Sequence, residues 1–558
     1  MKLHTPSLFR YKRSYLKHDV VAALVVTAIA IPQSLAFAII VGLPPVTGLY
    51  TALVAPIVFA LFARTQRVIV GADSATAAVL ASGALIVAQA GTQAHVNAIA
   101  VISLLTAAIL LTLSVFRLGF LAELISRPVL IGFLAGVGLQ LIITSLPNML
   151  GLSASGPVWQ QLQTVAQHIG SSNGMAMTVS ILVVGVIAVL RYTRIPGELV
   201  ALALAILLSV IFNIKELGVV MVGALPGGLP EFIVPTFTLE QFIALLPAAA
   251  SVALIILAQG SAVIRTSAFE RGEKVRLNQD LFAFSMANAT AALFQGFSAN
   301  GSPTRTYASE NAGGKSQMVN VFMGVLVGVL LLAAPGLMAY MPQAALSAII
   351  FVIGFYLIRV KEFNHIWLTH RTEFLVAIGA TIATLTFGVL QGVFVAIIIS
   401  LVERLSRQYR PKDAILLQDD VMSDWAEERL GRSHEPYNTK GLLVYSFDGS
   451  LYFENVTYFI TRVKRAIASS KNHVNHVIID SGAIDSVDYT AVEELKGFCQ
   501  RLHDKSITIG FSHVSPAFKA QLYDFGVADI IGESNIYATL NEALHSWTNK
   551  PTKSSAKN

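Results

Sequence analysis

Two short stretches decide how this chain is read: Gly71-Ala72-Asp73-Ser74-Ala75-Thr76 and Asn300-Gly301-Ser302-Pro303-Thr304-Arg305-Thr306. Each opens an apolar run that is short for a membrane crossing, and each follows a strand-like piece, Val68-Ile69-Val70 or Phe297-Ser298-Ala299. Both starts carry glycine for close backbone approach and hydroxyls or a carboxylate for capping a helix; the second adds proline in the first turn. A bare helix end cannot face lipid, because its unpaired N–H groups find no water there. Helices that begin inside a membrane therefore line a cavity. In carriers built from repeats, two such half-helices aim their N-termini at an anion near the midplane.

The surroundings of the two stretches fit a lipid solvent. Of the 558 residues, 54% are hydrophobic and 13% charged, and the mean hydropathy is +0.65. A soluble protein carries roughly 25% charged residues. The deficit excludes an ordinary soluble enzyme, a disordered protein and a nucleic-acid module. Charge is also unevenly spread: residues 1–410 hold 24 Lys+Arg and 14 Asp+Glu, residues 411–558 hold 15 and 19. The first part is membrane-embedded and the second is water-soluble. The single cysteine, Cys499, excludes an intramolecular disulfide and reads as a small packed side chain. Residues 1–19 are polar and basic, and the apolar run from Val20 to Leu43 exceeds the roughly 7–15 residues of a signal-peptide core. It is expected to be the first span rather than a cleaved leader.

Apolar stretches predict spans near 20–41, 45–63, 73–90, 97–116, 120–147, 175–190 and 198–213, then near 240–264, 279–295, 303–314, 316–335, 341–358, 372–387 and 388–403. That is seven plus seven, with the two short spans third in each set. Basic residues test the count. With an internal N-terminus, 21 Lys and Arg fall on the cytoplasmic side, Lys215 alone falls outside, and the loop 148–174 has no Asp, Glu, Lys or Arg. This asymmetry sets the orientation, with both termini cytoplasmic. Arg265 and Arg305 belong to neither side. An intramembrane arginine is costly and faces a cavity or a partner. At a helix N-terminus Arg305 adds to the positive dipole end, so anion binding is the favoured reading; Ser302 and Thr304 serve equally well as ordinary helix caps or as ligand contacts.

At this point the residues resemble a known family, the SulP anion transporters, whose animal relatives include prestin and pendrin. The resemblance covers nearly the whole chain. It rests on Ile31-Pro32-Gln33-Ser34-Leu35-Ala36-Phe37-Ala38 with Gly42-Leu43-Pro44-Pro45 and Gly48-Leu49-Tyr50, and on Arg117-Leu118-Gly119-Phe120 with Ser126-Arg127-Pro128-Val129 and Gly132-Phe133. Ile195-Pro196-Gly197, Gly223-Ala224-Leu225-Pro226-Gly227-Gly228-Leu229-Pro230, Asn278-Gln279-Asp280-Leu281 and Gly301–Thr306 continue it. The resemblance implies a uracil-permease-like fold of two inverted seven-span repeats, a core domain moving against a gate domain, and a homodimer. It also implies an anion pocket framed by spans one, three, eight and ten. Carried over by motif, the pocket positions are Gln33, Phe37, Asp73, Ser302, Thr304 and Arg305. Gln33 and Phe37 are four apart, hence neighbours on one helix face.

Two departures from the family pattern concern coupling. Where many prokaryotic relatives have an acid midway along span eight, linked to proton or sodium coupling, this chain has Ser261 within Ala258-Gln259-Gly260-Ser261-Ala262, with Arg265 one turn further on. Where the family has Gly-Pro before span three, this chain has Gly71-Ala72 followed by Asp73. The carboxylate has moved across the pocket, which makes Asp73, Gln259, Ser261 and Arg265 the candidate coupling residues. An ionised Asp73 would repel a bound anion. Four roles are open to it: taking up a proton when substrate binds, pairing with Arg265 or Arg305, binding a sodium ion, or only capping the half-helix.

After the membrane part, residues 411–440 read as a polar linker with an acidic patch at Asp419, Asp420, Asp424, Glu427 and Glu428. Residues 441–548 then alternate strands and helices, the pattern of a layered α/β domain. This part is similar to the STAS domain of SulP proteins, and residues 549–558 are a polar tail. The loop Asp485-Ser486-Val487-Asp488-Tyr489-Thr490 matches the position of the phosphorylatable motif of anti-sigma-factor antagonists, so Thr490 is either a regulatory phosphosite or a helix N-cap. The chain is thus expected to be a multi-pass inner-membrane carrier and no enzyme. Its partners would be a small inorganic or organic anion, the bilayer, a second copy and a cytosolic protein at the STAS domain, with no nucleic acid. No cofactor is expected beyond a co-transported proton or sodium ion. The competing classes are an uncoupled anion channel or exchanger, and a membrane sensor signalling through the STAS domain.

Overall fold

The computed structural model describes residues 5–548 except 124–125, 155–157, 192, 194, 224–227, 270–271, 334, 389–390, 393–394, 396–397, 400–401, 403–404, 407–408, 419–424, 429–440 and 471–472. The chain divides into two compact units, Met1–Leu401 and Val402–Asn558.

The first unit is helical. Its elements are α1 (Leu16–Val41), α2 (Val46–Phe62), β1 (Val70–Ala72), α3 (Ser74–Ala84), α4 (Gln93–Val115), α5 (Arg127–Met149), α6 (Val158–His168), α7 (Gly174–Leu190) and α8 (Gly197–Phe212). The second half adds α9 (Leu239–Ile255), α10 (Ser261–Phe269), α11 (Leu277–Leu293), β2 (Ala299–Gly301), α12 (Pro303–Asn311), α13 (Met318–Ala333), α14 (Gln343–Leu357), α15 (Val360–Thr369) and α16 (Arg371–Phe387). Among the described residues, five helical stretches are long and apolar enough to cross a membrane unaided: Arg13–Val41, Gln93–Val115, Arg127–Met149, Leu239–Ala268 and Gln343–Thr369. The sequence reading did not foresee α6, which meets α7 at a bend of 118°, nor the short α15. Most of the fourteenth expected span, 388–403, lies outside the described residues.

Three differences from the sequence reading bear on function. First, the two short helices are shorter still: α3 has 11 residues and α12 has 9. At 1.5 Å per residue they rise about 16 and 14 Å, roughly half of a hydrocarbon core. Second, span eight is not one α-helix. A π turn, Ile256–Gly260, separates α9 from α10, and such turns occur mostly at functional sites. Third, the strand pieces sit two residues later than expected. The preceding residues are held by side chains instead of a ladder: Asn320 Nδ2 donates to Val68 O at 2.8 Å, and Phe297 N donates to Thr51 Oγ1 at 2.9 Å. The ladder itself is antiparallel, with Val70 opposite Gly301, Gly71 opposite Asn300 and Ala72 opposite Ala299. Both half-helices therefore spring from one two-stranded ribbon.

Buried carboxylates lock the two halves of this unit together. Asp19 on α1 accepts from Lys315 N and Ser316 Oγ, each at 2.6 Å. Asp280 on α11 accepts from Arg64 N at 2.7 Å and Thr65 N at 3.0 Å. Each acid satisfies donors in a loop that has left its helix, which a buried chain segment requires.

The second unit is a five-stranded sheet in the order β4 (Trp425–Glu428), β3 (Asp413–Gln418), β5 (Leu442–Phe447), β6 (His476–Asp480), β7 (Thr508–Ser512). β5, β6 and β7 run parallel, and β3 lies antiparallel to its two neighbours. Residues 413–418 and 425–428, read from sequence as linker, are thus strands of the domain; Asp419, Asp420 and Asp424 of the acidic patch lie outside the described residues. The parallel strands are covered on both faces. Tyr445, Val477 and Ile479 pack with Phe459 and Phe498, while Val444 and Ile478 pack with Tyr537, Leu540 and Trp547. Cys499 is in the first of these cores, and burial pushes its thiol up to about 12, which leaves it an inert packing group.

The first strand of this domain is anchored by one carboxylate. Asp413 accepts from Tyr445 Oη at 2.7 Å and from Arg462 Nε at 2.7 Å and Nη2 at 3.1 Å. Burial and this bond to Asp413 hold the Tyr445 phenol well above its usual range. Asp413→Ala strips these donors, and Tyr458 Oη, which donates to Asp413 at 3.4 Å, of their acceptor and is expected to destabilise the domain by about 2–3 kcal/mol, read from urea unfolding of residues 402–548; Tyr445→Phe, which keeps the Arg462 pair, is expected to cost less.

Candidate functional site

The site is built where the ribbon hands over to its two helices. On the first side Asp73 is the N-cap of α3, in extended conformation, with Oδ2 accepting from Ala75 N at 3.2 Å. Its other oxygen, Oδ1, accepts from Gln259 Nε2 at 3.1 Å. Gln259 belongs to the π turn, so this bond ties span eight to the start of span three. On the second side Ser302 caps α12 through Arg305 N, at 3.4 Å, and lies 3.2 Å from Thr304 Oγ1. Pro303 occupies the first helical position, where its missing N–H costs nothing. The two starts are cross-linked: Ser302 N donates to Ile69 O at 2.9 Å, and Ile69 N donates to Thr306 Oγ1 at 3.0 Å.

Arg305 is 1% exposed, the largest fully buried side chain among the described residues. Its Nη2 donates to Ala72 O, and Nε and Nη1 find no acceptor. Room for the guanidinium comes from Gly71: a Cβ there would stand 2.7 Å from Arg305 Nη1. Directly opposite residues of an antiparallel pair point to the same face, so Asn300, the partner of Gly71, shares this face with the guanidinium. Asn300 is fully buried; its Oδ1 accepts from Gly301 N at 2.7 Å, and its Nδ2 is unpartnered. Gly260 closes over it, since a Cβ there would stand 3.0 Å from Asn300 Oδ1. Gln259 Oε1 and Ser261 Oγ are also buried without partners.

The remaining expected pocket residues divide. Gln33 and Phe37 are buried on α1, which packs against both α3 and α12. Thr304 is exposed, and Arg265, on α10, is exposed as well. Of the four roles open to Asp73, its bonds to Ala75 N and the Gln259 amide are those of a helix cap. The sequence reading missed Asn300, the packing role of Gly71 and the π turn. In the second unit, Thr490 is exposed at the second residue of the helix Tyr489–Asp504; the cap is Asp488, which accepts from Ala491 N and Phe453 N at 2.8 Å.

A cavity of about 820 Å³ lies between α1, α7, α8, α12 and α14. From α1 it is lined by Val21, Val25 and Ile29, and from α12 by Ala308 and Asn311. Along the i, i+4 ridge of α1, Ile29 is followed by Gln33 and then Phe37. On α12, Thr304 is one turn before Ala308 and two turns before Asn311. Two ridges thus run from the cavity to the two pocket walls.

The chemistry of the arrangement follows from charge. Two helix N-termini, the buried guanidinium and the Ser302 and Thr304 hydroxyls present donors and positive potential, against one carboxylate held in two hydrogen bonds. This donor set fits a small anion. Gly71→Ala is expected to displace the guanidinium and lower anion affinity more than tenfold, while Gly71→Ala combined with Arg305→Ala is expected to be no worse than Arg305→Ala alone, since both act on one interaction; anion-dependent thermal stabilisation of the purified protein reads both.

Comparison with known proteins identifies relatives of the chain and of its fold. Residues 16–380 match the sulfate permease family and residues 435–543 the STAS domain. A probable sulfate transporter of Mycobacterium tuberculosis is 30% identical over 540 residues, covering 96% of each chain. The fold matches the murine solute carrier 26 family member A9 anion transporter in its inward-facing state, with TM-score 0.88 and 19% identity, over 98% of this chain and 94% of that one. It also matches the transmembrane domain of a cyanobacterial bicarbonate transporter, BicA, with TM-score 0.62 and 21% identity, over 70% of this chain and 98% of that one. The chain belongs to the sulfate permease, or SulP, family and carries a C-terminal STAS domain.

Proposed function

We propose that this protein is a secondary transporter of a small anion, acting by alternating access. The observation that carries the reading is Arg305: a buried cation with two unpartnered donors, between two helix starts. A buried charge with only the Asp73 carboxylate to offset it costs several kcal/mol when that compensation falls short, and an anion held at the helix starts adds to the offset. Relatives are named for sulfate, and a structural neighbour for bicarbonate; sulfate, bicarbonate, chloride and a small carboxylate are the candidate substrates here. The cavity along α1 and α12 gives an access route from one side, as an inward-facing carrier requires. In this reading the fourteen spans form an inverted repeat, both termini lie in the cytoplasm of an inner membrane, and the protein works as a homodimer. Exposed Thr490 offers a kinase or a cytosolic partner a regulatory contact on the STAS domain.

Asp73 is the coupling residue of this proposal. Its carboxylate and the bound anion both carry negative charge, so uptake of a proton, or of a sodium ion, with the anion removes the repulsion. A second reading is also supported: two hydrogen bonds already satisfy Asp73 as a cap, which suits an exchanger or uncoupled path.

Uptake of labelled sulfate, bicarbonate and fumarate into proteoliposomes tests the proposal. Concentrative uptake of one anion is expected, lost at least tenfold in Arg305→Ala. Under proton coupling, uptake follows an inward proton gradient and becomes indifferent to it in Asp73→Asn. Uptake unaffected by Arg305→Ala contradicts the site, and movement of no anion contradicts the function.

A further inference from the structure

The mouth of the cavity holds charged groups that the transport site does not use. Arg191 follows the last residue of α7, and its guanidinium carbon stands 5.3 Å from the centre of the Tyr356 ring on α14. Both residues line the cavity, as does Glu198 in the first turn of α8. Across from them lie the aliphatic ridge of α1 and the face of α12 that carries Asn311, Ala308 and, further in, Thr304.

We infer that Arg191, its guanidinium beside the Tyr356 ring, recruits anions into this route from the side that the charge count assigns to the cytoplasm. Three features of the page support it. The opposing α1 wall is apolar, and a charge beside low-dielectric walls projects its field into the crevice. The ring restrains a long side chain at little cost to its charge, because guanidinium stacks on aromatic faces while its edge donors stay free. Glu198 sits at a helix N-terminus, where the dipole partly neutralises a carboxylate, so it offsets Arg191 incompletely. The role is one of positioning and attraction at the mouth. It differs from that of Arg305, which is buried at the helix starts. The inference rests on the proposed anion pathway.

The chain itself supplies a clean test. Cys499 is buried with its thiol pushed up to about 12, so a cysteine introduced on α12 reports alone. Asn311→Cys in inside-out vesicles is labelled with anionic and with cationic methanethiosulfonates of similar size. The anionic reagent is expected to be favoured. Arg191→Gln is expected to lower the anionic-to-cationic rate ratio by about fivefold or more, the size of one nearby charge at intermediate dielectric. Arg191→Lys restores part of it. Glu198→Gln moves the ratio the other way, and Tyr356→Leu lowers it while Tyr356→Phe does not. High salt flattens all of these differences. Transport read in parallel should show a raised half-saturating anion concentration from the cytoplasmic side in Arg191→Gln, with the value from the other side unchanged. An Asn311→Cys that is not labelled, a ratio indifferent to Arg191→Gln, or equal shifts from both sides overturns the inference. If the labelling ratio shifts but no anion is transported, the transport reading fails and the role of Arg191 in the crevice stands.

Discussion

The structure depends on the burial of one arginine. Arg305 lies under the ribbon that starts both half-helices, with one bond to Ala72 O and two donors unspent. Such a group is tolerated only where its surroundings are arranged for it. Gly71 gives up its side chain, Ala72 contributes a carbonyl, and Asn300 lines the same face. The ribbon in turn is fixed from outside. Asn320 on α13 holds Val68 and Val70, and Asn288 on α11 donates to Ala299 O and accepts from Ala299 N. Removal of any of these supports loosens the charge and with it the two helix starts. The site is thus a property of the crossing between the two halves of the unit.

That dependence explains which parts were legible in the sequence. The half-helices were readable because Gly71–Thr76 and Asn300–Thr306 combine capping groups with apolar runs, and helix caps are local chemistry. The STAS strands 442–447, 476–480 and 508–512 were readable because buried parallel strands are short continuous apolar runs. The two antiparallel strands were not. Asp413–Gln418 and Trp425–Glu428 sit in a charged stretch, and their strand character comes from pairing, β3 with β5 and β4 with β3, which no local pattern announces. The same limit hid the π turn at Ile256–Gly260, since one extra residue in a turn leaves no mark in a uniformly apolar helix. Asn300 stood within the quoted motif, yet its inward direction follows only from its register opposite Gly71. Thr490 lies two residues after the true cap, Asp488, and both residue types suit that position.

The contact between Asp73 and Gln259 relates these two levels. A carboxylate at the start of span three and an amide on the π turn of span eight share one hydrogen bond, so any change in the charge of Asp73 is felt where span eight departs from regular helix. Sequence resemblance places the acid of many relatives on span eight itself. Here the acid has changed sides and the bond keeps the two spans in communication. The crevice between α1, α7, α8, α12 and α14 is lined by the second half of α12, the helix whose start carries Ser302 and Arg305.

Locating a heavy anion in the site is the most direct test of the central claim. A structure of the protein with bromide or selenate, read by its anomalous or difference density, is expected to show the anion at the facing starts of α3 and α12, against the Ser302 and Thr304 hydroxyls and under the field of Arg305. Density absent there in the wild type while present elsewhere in the membrane unit, or unchanged at the helix starts in Arg305→Ala, would contradict the account.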